Sequence, residues 1–413
     1  MHETVTRPMI VPEYLTDFRC IGPACEDNCC QSRWNIDIDK AAFHALKKTT
    51  DPVLAPLVRT GITRNRSANA SEQNYARIPF NEARHGCLMF SDEGWCSVHA
   101  RLGEKVLSDV CATYPRYTTC LDGVWQQAAT LSCPEVARRA LLPSKPMRFV
   151  EHTLTVRQST VKMLTLPEQG ADLLQEVRFF ALHLLQYRDI PLWQRLTLLG
   201  EFCWQADRLR NNQQGGQLPE LIEQISSVLQ ANPDWAGPLM AVIPDYSLRM
   251  NLCCGFLAHK ANKAISRHYD TLFSEAMTGL GIDSTFDVAR SASRYQAALE
   301  IGARDFLDRH AHVLEHLLVN HLFLNAFPII KTHGEHWFDA YLWLVAKLNL
   351  VRTLWVGLYA RLGNKLDTPL ALTCIQALER TYQHHAGAQA WCIDILKQHR
   401  LHDLATLVGW LKE

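Results

Sequence analysis

The chain contains no run approaching 18 uncharged apolar residues, so it carries no candidate membrane span. Its first residues, MHETVTRPMIVPEYL, lack the apolar core of about 7–15 residues that a secretory signal needs. The chain is therefore expected to be cytoplasmic, where thiols stay reduced. Neither sign of charge is in excess: Lys+Arg and Asp+Glu are both 42, the formal net charge is zero and the pI is about 7.3. There is no basic surplus to bind nucleic acid and no polybasic run for a membrane surface. No G-x-G-x-x-G turn occurs, and downstream of residue 150 nothing alternates strand with helix, so a Rossmann-type nucleotide site is excluded. C-x2-C knuckles are missing as well.

Cysteine is what the chain has in quantity. Cys20, Cys25, Cys29 and Cys30 fall within eleven residues, and Cys87, Cys96, Cys111, Cys120 and Cys133 follow, so nine of the 14 cysteines lie in the first third. Dense cysteine also marks disulfide scaffolds, but those are short secreted chains that cannot build a core unaided. A chain of 413 residues with 47% hydrophobic content has ample core for one large domain or two ordinary ones. Crowded soft thiolates suit zinc, Cu(I) or an iron–sulfur cluster. Metal ligation is therefore the expected role.

The texture changes near residue 145, where Leu142–Pro146 (LPSKP) carries two prolines. Before it, cysteines mix with short apolar runs and turn residues, and Thr60–Asn74 reads as an exposed polar loop. Beyond it, apolar residues recur at helical spacing, as in Leu173, Val177, Phe180, Ala181 and Leu184, and again in Leu314, Leu317, Leu318 and Leu322. Further helices are expected near 192–210, 219–230, 247–263, 287–303, 338–362, 369–383 and 388–398, with loops at Asn211–Gly216 and Asn232–Pro238. The expected fold is mainly α: a cysteine-rich metal-binding module over 1–145, then an irregular all-α helical domain over 146–413, with no strand ladder downstream of 150.

Cys25-x3-Cys29 allows two thiolates to meet one centre from one turn, and Cys20 could close on it from the preceding loop. Cys87 and Cys96 bracket LMFSDEGW, whose Asp92–Gly94 suggests a turn returning them as a hairpin pair. Ser97–Val110 is expected to be a helix that projects Cys111 back towards Cys96. Zinc wants four ligands, usually on C-x2-C knuckles. The irregular spacings here fit a cluster, or a less common zinc arrangement, better. Eight thiols are candidate ligands: Cys20, Cys25, Cys29, Cys30, Cys87, Cys96, Cys111 and Cys133. They exceed four, so either two centres exist or some are bystanders, Cys120 first among the latter. Cys203, Cys253, Cys254, Cys374 and Cys392 read as buried core thiols.

These residues carry a family resemblance. The N-terminal third resembles the family known for its zinc- or iron-chelating CxxCxxCC motif, through Cys20–Cys30, Gly94-Trp95-Cys96 and Cys111-Ala112-Thr113-Tyr114-Pro115. Here C-x4-C-x3-CC replaces the tighter spacing. More of the chain is similar to the flagellin lysine N-methylases of enterobacteria. The cues are Val11-Pro12-x-Tyr14 with Phe18-x-Cys20, Cys29-Cys30-x3-Trp34-x-Ile36-x-Ile38-Asp39, and Ser132-Cys133-Pro134-Glu135 with Ala137-Arg138. The distal stretch Leu314–Asn320 through Phe327-Pro328 agrees. The resemblance implies methylation of lysine ε-amines on flagellin, with S-adenosylmethionine as methyl donor and a 4Fe–4S cluster, zinc being the alternative metal. It also leaves open a non-enzymatic metal-binding protein acting in interaction or assembly. The C-x3-C-x2-C of the usual radical adenosylmethionine enzymes fails at Ser32, so donor binding is unconventional.

Methyl transfer needs a neutral amine, well below the lysine pKa of about 10.4, so a desolvating pocket or a base is required. Tyr114, Glu315 and Tyr341 are of suitable type, against a structural role for each as helix-face carboxylate or core tyrosine. A competing motif is His312-Val313-Leu314-Glu315-His316, which satisfies the H-x-x-E-H pattern of inverted zinc peptidases. Its Leu-rich setting and the lack of a clear third ligand point to packing instead.

Overall fold

The computed structural model describes residues 2–84, 86–165, 171–231, 235–261, 265–283, 285–329, 336–383 and 385–413. Part of the loop expected at Asn232–Pro238, and the last two residues of the helix expected over 247–263, lie outside these. The chain divides into two compact units. The first comprises Met1–Arg139, Arg148–Thr165 and Ala264–Arg267, and the second Ala140–Met147, Leu166–Lys263 and His268–Glu413.

Among the described residues, ten strands build the first unit's sheets: β1 (Thr4–Pro12), β2 (Ile36–Ile38), β3 (Thr63–Arg64), β4 (Ala76–Ile78), β5 (Phe80–Asn81), β6 (Gly86–Cys87), β7 (Arg116–Leu121), β8 (Val124–Ala129), β9 (Phe149–Arg157) and β10 (Val161–Leu164). A five-stranded sheet runs in the order β10-β7-β8-β1-β9. In it β1 pairs antiparallel with β9 along its whole length, from Thr4↔Arg157 to Pro12↔Phe149. In β9, Glu151, Thr153 and Thr155 face water while His152, Leu154 and Val156 are half-buried, the period of two expected of a one-sided strand. β7 and β8 form a hairpin whose two turn residues, Asp122 and Gly123, both have positive φ. The smaller sheets are β2-β4-β3 and β5-β6. Beside them a compact apolar core gathers Ile38, Leu46, Leu54, Val58, Ile78, Met89 and Val98, with Trp34, Cys87 and Cys96 packed against it.

Two expectations are corrected here. The cysteine-rich segment before residue 145, expected as part of a mainly α fold, carries three β-sheets beside its short helices. The chain beyond 146 is not wholly helical, because β9 and β10 complete the five-stranded sheet. A strand is stabilised by a partner, and the partner of β9 lies at the other end of the unit, where no local periodicity points to it.

Among its described residues the second unit is built of helices without strands, and its helices follow the expected ones closely, among them Ala171–Leu185, Leu192–Asn211, Leu218–Ala231, Tyr246–Lys260, Ala311–Leu324, Trp337–Leu362, Thr368–Tyr382 and Ala386–Gln398. Trp337–Leu362 is apolar around its circumference and buried for most of its length, as the central helix of a core must be. Tyr269–Gly279 packs against it very closely. A Cβ added to Gly279 would lie 1.9 Å from the Gly357 carbonyl oxygen, so only glycine permits this approach. Trp355 sits at the centre, its indole N–H donating to the Ala371 carbonyl at 3.1 Å and its ring edge-on to Phe306. Among the described residues no helix is long and apolar enough to cross a membrane.

Candidate metal centre

The cysteines of the first unit sit on turns and helix starts rather than inside long elements. Cys29 and Cys30 open a 3-10 turn, Cys29–Gln31, whose N-cap Asn28 accepts the Cys30 N–H at 2.9 Å. Cys25 closes the preceding turn, Gly22–Ala24. Cys87 ends β6, and the chain returns through a turn at Ser91–Gly94 to an antiparallel bridge between Phe90 and Cys96. Cys96 is the N-cap of the helix Ser97–Leu102. Cys111 lies in the short helix Asp109–Thr113, capped by Ser108. The single helix expected over Ser97–Val110 is not formed. Gly103, at φ +80°, ends the first piece, and a 3-10 turn Glu104–Val106 intervenes.

The backbone brings these segments into register at one close approach. A Cβ on Gly86 would fall 2.6 Å from the Cys30 carbonyl oxygen, so the Cys87 strand can lie against the Cys29–Cys30 turn only because residue 86 is glycine. Trp34 meets Tyr114 edge-on with ring centroids 5.7 Å apart, and the Tyr114 hydroxyl shares a 3.0 Å hydrogen bond with Ser132, next to Cys133. Arg138 spans the helix Pro134–Leu141 and the Cys25 loop, bonding Glu135 at 3.1 Å and Glu26 at 2.8 Å. Residues 266 and 267 add a hydrogen bond from Ser266 to the buried Asp27 at 3.3 Å and one from Arg267 to the Glu26 carbonyl.

Five thiols thus share one electrostatic neighbourhood. Hydrogen bonds to the sulfurs of Cys29 and Cys96, together with burial, push Cys30 well up. The Cys30 thiol donates to Cys96, and the N–H groups of His99 and Val98 add to this, holding Cys96 down at about 6 against its burial. Burial raises Cys87 to about 11, with the charges of Cys96 and Cys29 adding. Cys111, bonded to the Ser108 side chain, feels Cys87, Cys96 and Cys29. Cys133 is raised to about 12 by burial and by Cys25, and also feels Cys29. Of the eight candidates, Cys29, Cys30, Cys87, Cys96 and Cys111 form the central group, with Cys25 and Cys133 beside it. Cys20 stands exposed on the loop, and Cys120 is buried in β7 opposite Trp125 and Met163. Sulfur donors from four separate segments are of the kind a soft metal takes, but among the described residues no three of these sulfurs lie within 4.8 Å of one another, so the thiols are neighbours and not an assembled ligand set. N–H groups directed at the Cys96 sulfur are the kind of contact that tunes such a site. Asn28 and Ser108 were not among the expected site residues, although Asn and Ser just before Cys-bearing turns are helix-start signals.

The remaining candidates fall elsewhere. Glu315 is 1% exposed and pinned between Arg188 at 2.8 Å and Arg195 at 2.7 Å. His312 and His316 bond the backbone at Leu142 and Ala140. The H-x-x-E-H stretch is therefore a buried clamp, its carboxylate committed to two guanidiniums. Tyr341 is 1% exposed, jammed against Gly200, and out of a substrate's reach. Outside the thiols, His2 lies 2.9 Å from Asp39 and 3.4 Å from Asp109, but Arg157, 3.1 Å from Asp109, already supplies the cation there.

Residues 178–410 match the model of the FliB lysine N-methylase C-terminal domain, and the chain belongs to that family. It is 26% identical over 243 residues to the lysine-N-methylases of Salmonella choleraesuis and Salmonella typhimurium, covering 58% of this chain and 58% of each relative. The chain thus spans little more than half the length of these curated relatives. It is also 27% identical over 151 residues to the flagellar biosynthetic protein FliU of Salmonella muenchen, over 37% of this chain and 87% of that one. No solved structure matches.

Proposed function

We propose that this protein is a protein-lysine N-methyltransferase that transfers the methyl group of S-adenosylmethionine to surface lysines of flagellin, and that its first unit holds a 4Fe–4S cluster. The observation that carries the methyltransferase is the family match over more than half the chain, joined by relatives named for lysine methylation and for the flagellum. Support for the cluster comes from the thiol group described above. Three ligands would be drawn from Cys29, Cys30, Cys87, Cys96 and Cys111, leaving one iron without a protein thiolate. When bound, the cluster would supply that open iron as a soft site for the methionine end of the donor.

The chain's own residues must do the rest. The acceptor nitrogen needs a lone pair, so the lysine has to be desolvated and lose its proton before the sulfonium methyl moves to it. Asn28 and Ser108 hold the thiol-bearing turns. Glu315 and Tyr341 are structural.

The test is intact-mass spectrometry of flagellin co-expressed with this chain, with Cys30→Ala as control. Increments of one methyl on lysine-bearing peptides, absent with the variant, are expected. Unmodified flagellin overturns the proposal. Iron and acid-labile sulfide in comparable amounts after anaerobic purification are expected; stoichiometric zinc without sulfide would reject the cluster and keep the metal.

A further inference from the structure

Three helix ends of the second unit enclose a pocket of about 270 Å³. Trp204 and Arg208 come from one face of Leu192–Asn211, Phe338, Asp339 and Leu342 open Trp337–Leu362, and Lys397 ends Ala386–Gln398. We infer that this pocket receives a lysine side chain, whose ammonium takes the place on Asp339 that Lys397 holds in this structure. As the substrate's subsite it rests on the methyltransferase reading; as a lysine-binding pocket it is tested without it.

The floor decides the sign of the ligand. Asp339 is 4% exposed, and its carboxylate accepts the Lys397 ammonium at 2.6 Å. The Lys397 side chain is 45% exposed, reaching inward from the rim. A buried carboxylate paired with a half-exposed ammonium is an exchangeable pair: its fixed half belongs to the pocket and its mobile half can be replaced by a like group. Asp207, the other carboxylate, is committed elsewhere, since it accepts the N–H groups of Trp337 at 3.0 Å and Phe338 at 2.9 Å and bonds Arg210. Arg208, His336 and His402 also line the pocket, so the preference for a cation rests on the buried Asp339 carboxylate and its exchangeable partner.

The walls suit an alkyl chain ending in a cation. Leu342 is fully buried and Phe338 lines the pocket beside it. Trp204 keeps 38% of its surface exposed, and the Arg208 guanidinium lies over its ring at 4.7 Å, so the indole face already receives a cation. The volume lies below the roughly 300–1,000 Å³ of pockets that enclose drug-sized ligands, which favours a single side chain over a nucleoside-bearing donor. Lys397 acts as an internal stand-in for the substrate, and an incoming lysine must outcompete it.

The test titrates the full-length protein with Nα-acetyl-lysine amide and its Nε-methylated forms, read by calorimetry, with the norleucine analogue as the uncharged control. Saturable binding of the lysine compounds and none of the norleucine compound is expected. Asp339→Asn should weaken binding about thirtyfold or more, since it removes the buried partner of a cation. Lys397→Ala should tighten it several-fold, and Trp204→Leu, on the surface, should weaken it and serves should Asp339→Asn fail to fold. No saturable binding to the native protein or to Lys397→Ala overturns the inference. So does binding indifferent to Asp339→Asn and Trp204→Leu, preference for acetate over the amine, or displacement by S-adenosylhomocysteine. If flagellin stays unmethylated while this binding pattern holds, the methyltransferase reading falls and the pocket stands. Methylation without any such binding does the reverse.

Discussion

The two units solve the problem of an interior differently. The second buries a 26-residue helix, Trp337–Leu362, in apolar side chains, with tryptophan and tyrosine rings filling the space between helices. The first buries apolar residues under its five-stranded sheet, among them Met9, Val11, Leu121 and Val136, and in a separate cluster around Ile38 and Leu46, against which lie sulfur atoms presented by short elements of three to six residues. Apolar burial stabilises a helical interior without help. Thiols crowded at the ends of short elements repel once ionised and contribute little packing, so the first unit's cohesion should depend on what the sulfurs bind. The contrast can be broken by experiment.

The largest effect is expected from Cys30→Ala or Cys96→Ala. Either should abolish metal content and melt the first unit, while the far-ultraviolet helical signal of the second persists. Metal retained at the native level would remove the contrast. Trp355→Ala should do the opposite, costing about 3–5 kcal/mol of the second unit's stability in denaturant titrations and leaving metal content unchanged. Glu315→Gln leaves Arg188 and the buried Arg195 without their carboxylate, a loss of about 3 kcal/mol, again with metal retained. If it instead abolished metal binding, the H-x-x-E-H stretch would regain a ligand role. Gly279→Ala forces a methyl into the Gly357 carbonyl and should cost about 1–3 kcal/mol. The smallest change is expected from Cys374→Ala, a buried thiol in an apolar setting, at about 1 kcal/mol with metal intact.

Legibility followed the same division. The helices from Ala171 onward could be read because a helix satisfies its own backbone and its apolar stripe repeats within a few residues. The turn at Ser91–Gly94 was readable for a similar reason: Asp92 and Gly94 are turn-formers between two cysteines that the chain returns together. β1 and β9 were not, because their pairing joins Thr4 to Arg157 and neither strand is stable alone. The hairpin of β7 and β8 does carry a local signal, Asp122-Gly123, at its turn. The helix expected over Ser97–Val110 failed at Gly103, where positive φ outweighed the surrounding propensity.

The candidate ligands show the limit most clearly. Cysteine count and crowding pointed to a soft-metal site, because thiolate chemistry belongs to the residue type and needs no fold. Which thiols become neighbours was decided by tertiary structure. The Gly86 approach, the Asn28 and Ser108 caps and the turn back to Cys96 bring Cys29, Cys30, Cys87, Cys96 and Cys111 into one region, where Cys111 is exposed as Cys20 is, while Cys120 goes into a sheet. Likewise His312, Glu315 and His316 carry a motif by spacing alone, and only the folded helices show two arginines closing on the glutamate. Residue types and local periodicity determine which chemistry is available and which segments coil. Partners tens to hundreds of residues apart decide which side chains share a site, because distances between them are set by packing and not by the chain.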